Sequence, residues 1–189
     1  MKIMKTNWCA ILIILAAFVL GTPIDFKAHA RSLAVAYAAA QPNISINTYY
    51  SMDKAQRGRS IQGAVVLIIP GGYHVNSNRP TGKYLIPTSL KFDPRDGVKV
   101  GAVRYPRANL RSFSFSEQKL SVFEGRAVLR FSVTIPAGFP HSKMELKAKV
   151  RYQSCNDKEC YAPASRDISL WIDVVNANES VKKTNGNLF

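Results

Sequence analysis

The chain is 189 residues long and carries 26 Lys and Arg against 12 Asp and Glu, a formal charge of +14. That excess suggests acidic partners, but the basic residues are scattered with no run of five or more. Neither a basic helix nor a known module accompanies them, so nucleic-acid binding is not the reading. No phosphate-cradling glycine loop and no nucleophile elbow occurs, which leaves a nucleotide-binding enzyme or a hydrolase without support.

The N-terminus reads as an export signal. Lys2 and Lys5 precede the apolar run CAILIILAAFVL, twelve residues from Cys9 to Leu20. A membrane-crossing helix needs roughly 18 or more such residues, whereas a basic start, a short apolar centre and a small-x-small site describe a signal peptide. Ala28-His29-Ala30 supplies such a site, with Ala36-Tyr37-Ala38 as a second, and the expected leader is 1–30. An uncleaved anchor is the alternative, and either way the protein is exported. The leader holds Lys2, Lys5 and Lys27 against Asp25, so +12 of the +14 stays on residues 31–189. Residues 31–44, Ala-rich and then polar, read as a flexible lead-in.

The domain is expected over 45–175, with strands along it. AVVLIIP (64–70) is apolar on both faces and fits a central strand covered twice. In AVLRFSVTI (127–135), Leu129, Phe131, Val133 and Ile135 alternate with Arg130, Ser132 and Thr134. MELKAKVRYQ (144–153) and DISLWIDV (167–174) repeat that period of two, and Lys147, Lys149 and Arg151 then line a solvated strand face. Turns are marked at Pro70-Gly71-Gly72, Arg79-Pro80-Thr81-Gly82, Asp93-Pro94-Arg95-Asp96-Gly97 and Pro136-Ala137-Gly138. Short strands punctuated in this way predict an all-β antiparallel sandwich. Residues 176–189, polar and with little to bury, read as a flexible tail. The sequons Asn43-Ile44-Ser45 and Asn178-Glu179-Ser180 match a pattern common by chance.

With Cys9 in the leader, the mature chain keeps Cys155 and Cys160, an even pair suited to an oxidising compartment. They bracket the loop Asn156-Asp157-Lys158-Glu159 of an expected hairpin, and their Cα atoms can approach within the roughly 4.4–6.8 Å a disulfide needs. Closing six residues contributes only about 2 kcal/mol in the chain-entropy model. Stapling and redox exchange both remain open on these grounds. Zinc would need two more ligands, and the mature chain offers only His74 and His141. Arg151 and Lys158 favour a thiolate at the pair, while Asp157 and Glu159 oppose it.

The segment RYQSCNDKECYAP (151–163) resembles the active-site segment of the N-terminal periplasmic domain of DsbD, the thiol:disulfide interchange protein. GGYHVNSNRP (71–80), YLIPTSLKF (84–92), VRYP (103–106) and FSFSEQKLSVFEG (113–125) follow the order found in relatives of that domain. The resemblance implies an immunoglobulin-like sandwich with an exposed redox-active pair, Cys155 and Cys160. By the same analogy Cys160 forms mixed disulfides and Cys155 resolves them. An aromatic cap loop, here SFSFSEQ, would cover the pair through Phe115 or alternatively Phe113, with Glu117 close by, and His74 and Asn76 would share a strand face beside it. Without the family, the ordinary readings are strand core for the two phenylalanines and a hydrogen-bonded structural histidine for His74.

The implied partners are a thioredoxin-like electron donor and periplasmic disulfide-containing acceptor proteins, with association with a membrane redox protein a further option. No cofactor and no metal are called for, and the activity is that of an electron-carrying component of protein-disulfide reduction. Two departures from the family stand out. Four residues separate these cysteines where the best-known members have five. The membrane and C-terminal thioredoxin-like domains of full-length DsbD are absent from this sequence, which implies a stand-alone module.

Overall fold

The computed structural model describes residues 41–189, and the expected leader, with Cys9 and both cleavage sites, lies outside them. Twelve strands form three four-stranded sheets. The first contains β1 (Ser45–Tyr50), β3 (Ser60–Ile68), β9 (Arg126–Thr134) and β6 (Lys99–Val100) in the order β1-β3-β9-β6, antiparallel throughout. The second runs β2 (Lys54–Gln56), β12 (Ala164–Val175), β10 (Lys143–Tyr152), β5 (Ser89–Asp93), antiparallel except for the parallel β2–β12 pair. The third is small and antiparallel: β11 (Ser154–Cys155), β4 (His74–Asn76), β8 (Leu120–Phe123) and β7 (Asn109–Arg111).

The core follows from the alternation. Ala127, Leu129, Phe131 and Val133 of β9 are buried, as are Met144, Leu146, Ala148, Val150 and Tyr152 of β10. Each large apolar side chain so placed contributes roughly 1.5–3 kcal/mol. Phe92 of β5 meets Phe131 of β9 at 4.4 Å between ring centroids, which joins the two larger sheets into an all-β sandwich. In β3 the run Ala64–Leu67 is buried on both faces, as a central strand requires. Gly63 of that strand lies under the Phe131 ring, where a Cβ would come within 2.5 Å of Cε2. The outward residues of β10 and β12 pair across the ladder, Lys149 with Asp167 at 3.3 Å and Lys143 with Asp173 at 3.5 Å. Such exposed pairs contribute little to stability. Among the described residues no helix is long and apolar enough to cross a membrane.

Two turns deliver strands to the right sheets. Asp96 and Gly97 both take positive φ, 52° and 76°, and Val98 donates its amide to the Arg95 carbonyl at 3.0 Å. This Asp-Gly turn passes the chain from β5 in the second sheet to β6 in the first. At Pro70-Gly71-Gly72-Tyr73, Gly72 has φ 79° and the Tyr73 amide donates to the Pro70 carbonyl at 3.2 Å. A β-carbon is disfavoured at that φ, and the turn sets β4 beside the cysteine loop.

The segment expected to be a loose tail is docked. Met52 bridges Lys183, the Asp53 amide donates to the Lys182 carbonyl at 3.0 Å, and the Thr184 amide donates to Ser51 at 2.9 Å. Leu188, on a single 3-10 turn (Gly186–Leu188), is 2% exposed, and its carbonyl accepts from Arg130 Nε. One apolar residue near the end of a polar stretch is enough to anchor it once backbone partners are available.

Candidate functional site

Tyr152 pairs with Ala164 as the last rung of the β10–β12 hairpin, so the loop between them is longer than the cysteines alone would suggest. Ser154 and Cys155 leave the hairpin to pair with Val75 and His74 of β4. The intervening loop closes on itself. Asn156 Oδ1 accepts from the amides of Lys158 and Glu159 at 2.8 and 2.9 Å, and the Asn156 amide donates to the Glu159 carbonyl at 2.9 Å. An asparagine turn of this type needs no outside partner. It returns Cys160 opposite Cys155 as a β-bridge, and the two are disulfide-bonded with Cα atoms 3.9 Å apart. That separation is shorter than the roughly 4.4–6.8 Å usual for disulfides, with the pair facing directly across a bridge.

The two sulfur-bearing residues are not equally accessible. Cys155 is fully buried and Cys160 half-buried, so the freely exposed pair implied by the resemblance is corrected to one open side. Gln153 fixes the approach to the loop. Its Oε1 accepts from the Ile86 amide and from Asn76 Nδ2, each at 3.0 Å, and its Nε2 donates to the Tyr161 carbonyl at 3.1 Å. Asn76 is buried and also donates to the Ile86 carbonyl at 3.2 Å, which makes it a clamp on the neighbouring segment. Tyr161 accepts from Asn156 Nδ2 at 2.8 Å, and its ring lies 6.2 Å from that of Tyr73. Burial, then the hydrogen bond and charge of Tyr73, push its phenol above the ordinary value.

Residues 112–119 connect β7 to β8, so Phe113 and Phe115 belong to a loop and not to alternate strand positions in the core. Phe113 is the inner ring. It stacks on His74 with centroids 4.1 Å apart, and Phe115 stacks outside it at 5.5 Å, 38% exposed. Between the two rings, Ser114 Oγ donates to the Asp157 carbonyl at 2.7 Å, a single bond from this loop to the cysteine loop. Glu117 is exposed farther along.

His74 and Asn76 share one face of β4, as spacing by two requires. His74 stands directly opposite Cys155, and directly opposed antiparallel residues point to the same side. His74 Nε2 is buried without a hydrogen-bond partner among the described residues, as are Asn76 Oδ1 and Ser154 Oγ. The expectation of a hydrogen-bonded histidine therefore fails at that nitrogen. Burial draws the imidazole below its ordinary pKa, and the charges of Glu124 and Asp157 pull the other way. Burial by itself would raise Glu124. Hydrogen bonds from Arg111 and Asn109, at 2.8 and 3.0 Å, together with the Arg111 and His74 charges, hold it below the usual carboxylate range instead. His141 lies elsewhere, 3.6 Å from Asp96.

A family described as the N-terminal part of the thiol:disulfide interchange protein DsbD matches residues 47–171. The chain belongs to the DsbD N-terminal family. The matched span takes in both cysteines, His74 and the Phe113–Phe115 loop. No curated protein matches the chain. Among solved structures it is similar to the N-terminal periplasmic domain of ScsB from Proteus mirabilis, with 12% identity over 75% of this chain and a TM-score of 0.46. The chain spans 51% of that structure's length. A family 123 glycoside hydrolase from Clostridium perfringens is similar at 10% identity, 71% of this chain, 28% of that one and a TM-score of 0.31. At these values neither likeness bears on function.

Ser114, Glu124, Asn156 and Gln153 were not singled out from the sequence. An asparagine just after a cysteine and just before a polar run is a readable turn signal. The other three owe their places to pairings between distant segments.

Proposed function

We propose that this domain is a periplasmic carrier of electron pairs, receiving them from a thioredoxin-like donor and passing them to disulfide-containing acceptor proteins through Cys155 and Cys160. The observation that carries the reading is the asymmetry of the bond, with Cys160 half-buried at a loop and Cys155 wholly buried behind it. Exchange requires a thiolate to reach one sulfur in line with the bond. A partner's thiolate meets Cys160, the S–S bond breaks, and Cys155 departs with the electron pair. In the opposite direction Cys155 resolves the mixed disulfide at Cys160. Phe113 and Phe115 form the lid, held over the cysteine loop by Ser114 and by stacking on His74. No cofactor enters these steps.

The rival reading, a non-catalytic binding or chaperone-like sandwich with a structural loop disulfide, gains little from the geometry. The cross-link joins residues separated by five positions and already brought together by the Asn156 turn. Its entropic contribution is only about 2 kcal/mol. A Cys155→Ala variant of the full chain, produced in its own host, should accumulate covalent adducts at Cys160 that reductant releases. Recovery of free, unreactive Cys160 with no adduct would sink the exchange reading.

A further inference from the structure

Buried polar atoms nearly always find a partner, and an exception calls for a physical reason. His74 is 2% exposed, and its Nε2 has no hydrogen-bond partner among the described residues. Directly across the β4–β11 ladder stands Cys155, itself fully buried. Side chains so opposed have Cβ atoms roughly 4.5–5.5 Å apart. While Cys155 is in the disulfide, its sulfur carries no proton to offer. Opening the bond creates an S–H or S⁻ group at that position. The orphan nitrogen is therefore what a site looks like when its partner exists in only one redox state.

We propose that His74 takes up and returns the proton of Cys155 during exchange. The inference rests on the exchange reading above and assigns the base within it. In resolution, the Cys155 thiol gives its proton to the imidazole. The thiolate attacks Cys160 Sγ, the Cys155–Cys160 bond forms, and the Cys160–partner bond breaks. The partner leaves as a thiolate with the electron pair, and the imidazolium releases its proton to water. In the reverse step the imidazole first takes a proton from water; a partner thiolate attacks Cys160 Sγ, the Cys155–Cys160 bond breaks, and Cys155, expelled as a thiolate into a buried position, is protonated by that imidazolium. The dithiol loses two electrons in the first direction and the partner disulfide gains them.

The surroundings suit a base that rests neutral and is charged in passing. Phe113 covers one face of the ring. Glu124, in turn held by Arg111, and Asp157 supply the negative charge that favours the imidazolium, against the burial that disfavours it. A positioned general base usually contributes more than tenfold in rate, often 10²–10⁴-fold.

The test uses the reduced full chain carrying Cys9→Ser, which leaves Cys155 and Cys160 as its two thiols, and one equivalent of 5,5′-dithiobis(2-nitrobenzoate). Attack by Cys160 releases one coloured thiolate, and resolution by Cys155 releases the second, timed by stopped flow across pH. With His74 the second phase should lose its pH dependence well below the ordinary cysteine pKa of about 8.5. His74→Gln should slow that phase at least tenfold near neutral pH and make it climb toward 8.5 as for an unassisted thiol. Equal rates and equal profiles would overturn the assignment. Should the variant not fold, ring-nitrogen NMR of the wild type decides: His74 Nε2 should shift on reduction, and an unmoved signal overturns it. A histidine-dependent profile without any exchange with thioredoxin-like proteins would instead sink the partner reading and leave this one standing.

Discussion

At the scale of single residues, the site contains a row of stacked rings. Phe113 lies between His74 and Phe115, and stacked aromatic pairs contribute about 0.5–1.5 kcal/mol beyond area. Removing the inner ring with Phe113→Ala should therefore favour the open lid by roughly two- to tenfold. Phe115→Ala leaves the His74 stack and should do less. The measurement is the rate at which dithiothreitol reduces the disulfide, and equal rates in the two variants would contradict the inner and outer assignment. His74 also makes the fold sensitive to acid. Its folded pKa lies below the unfolded value of about 6.5, mainly through burial, so between the two the unfolded chain binds more protons. Stability then falls as pH drops through about 6.5 and levels off below the folded pKa. The Tm advantage of wild type over His74→Gln should shrink from about pH 7.5 to about 5, and a constant difference in thermal melts would refute it. The cysteines were legible because the mature sequence contains only two. Glu124 was not, because its approach to His74 depends on the register of β4 against β8, strands more than forty positions apart.

At the scale of elements, the sequence was most readable where one face is buried. The alternation in β9 and β10 set those strands to within a few residues, since a one-residue slip would turn every apolar side chain to water. The third sheet could not be read from alternation, for the converse reason, and only the strand face of His74 and Asn76 was expected, through the resemblance. Its strands are two to four residues long, too short to show a period, and pair through contacts between remote loops. Gln153 is the joint between that sheet and the hairpin, with three side-chain hydrogen bonds to Ile86, Asn76 and Tyr161. Gln153→Leu leaves those partners unsatisfied and should cost about 2–4 kcal/mol. Urea unfolding would measure it, and a loss below about 1 kcal/mol would mean that water replaces the glutamine.

At the scale of the whole molecule, the pattern of residues carried the fold class, because period-two runs between Gly and Pro turns admit few architectures. The C-terminal segment escaped that logic. Its anchorage depends on open backbone groups at Ser51 and Asp53 and on a pocket for Leu188, none of which has a local signature. A chain ending at Val181 should lose about 2–4 kcal/mol, from one buried leucine and several hydrogen bonds. An unchanged midpoint in chemical denaturation would show that the docked segment carries no stability.

The placement of Cys155 and Cys160 across a single bridge has a kinetic consequence. Because their α-carbons sit 3.9 Å apart in a turn held by Asn156, a protein captured on Cys160 faces an internal competitor that hardly has to travel. Well-oriented intramolecular reactions reach effective molarities of about 10⁵–10⁸ M, beyond anything a free thiol attains. Captured proteins would then dwell only briefly, so turnover would be set by how often they arrive and not by how long they stay.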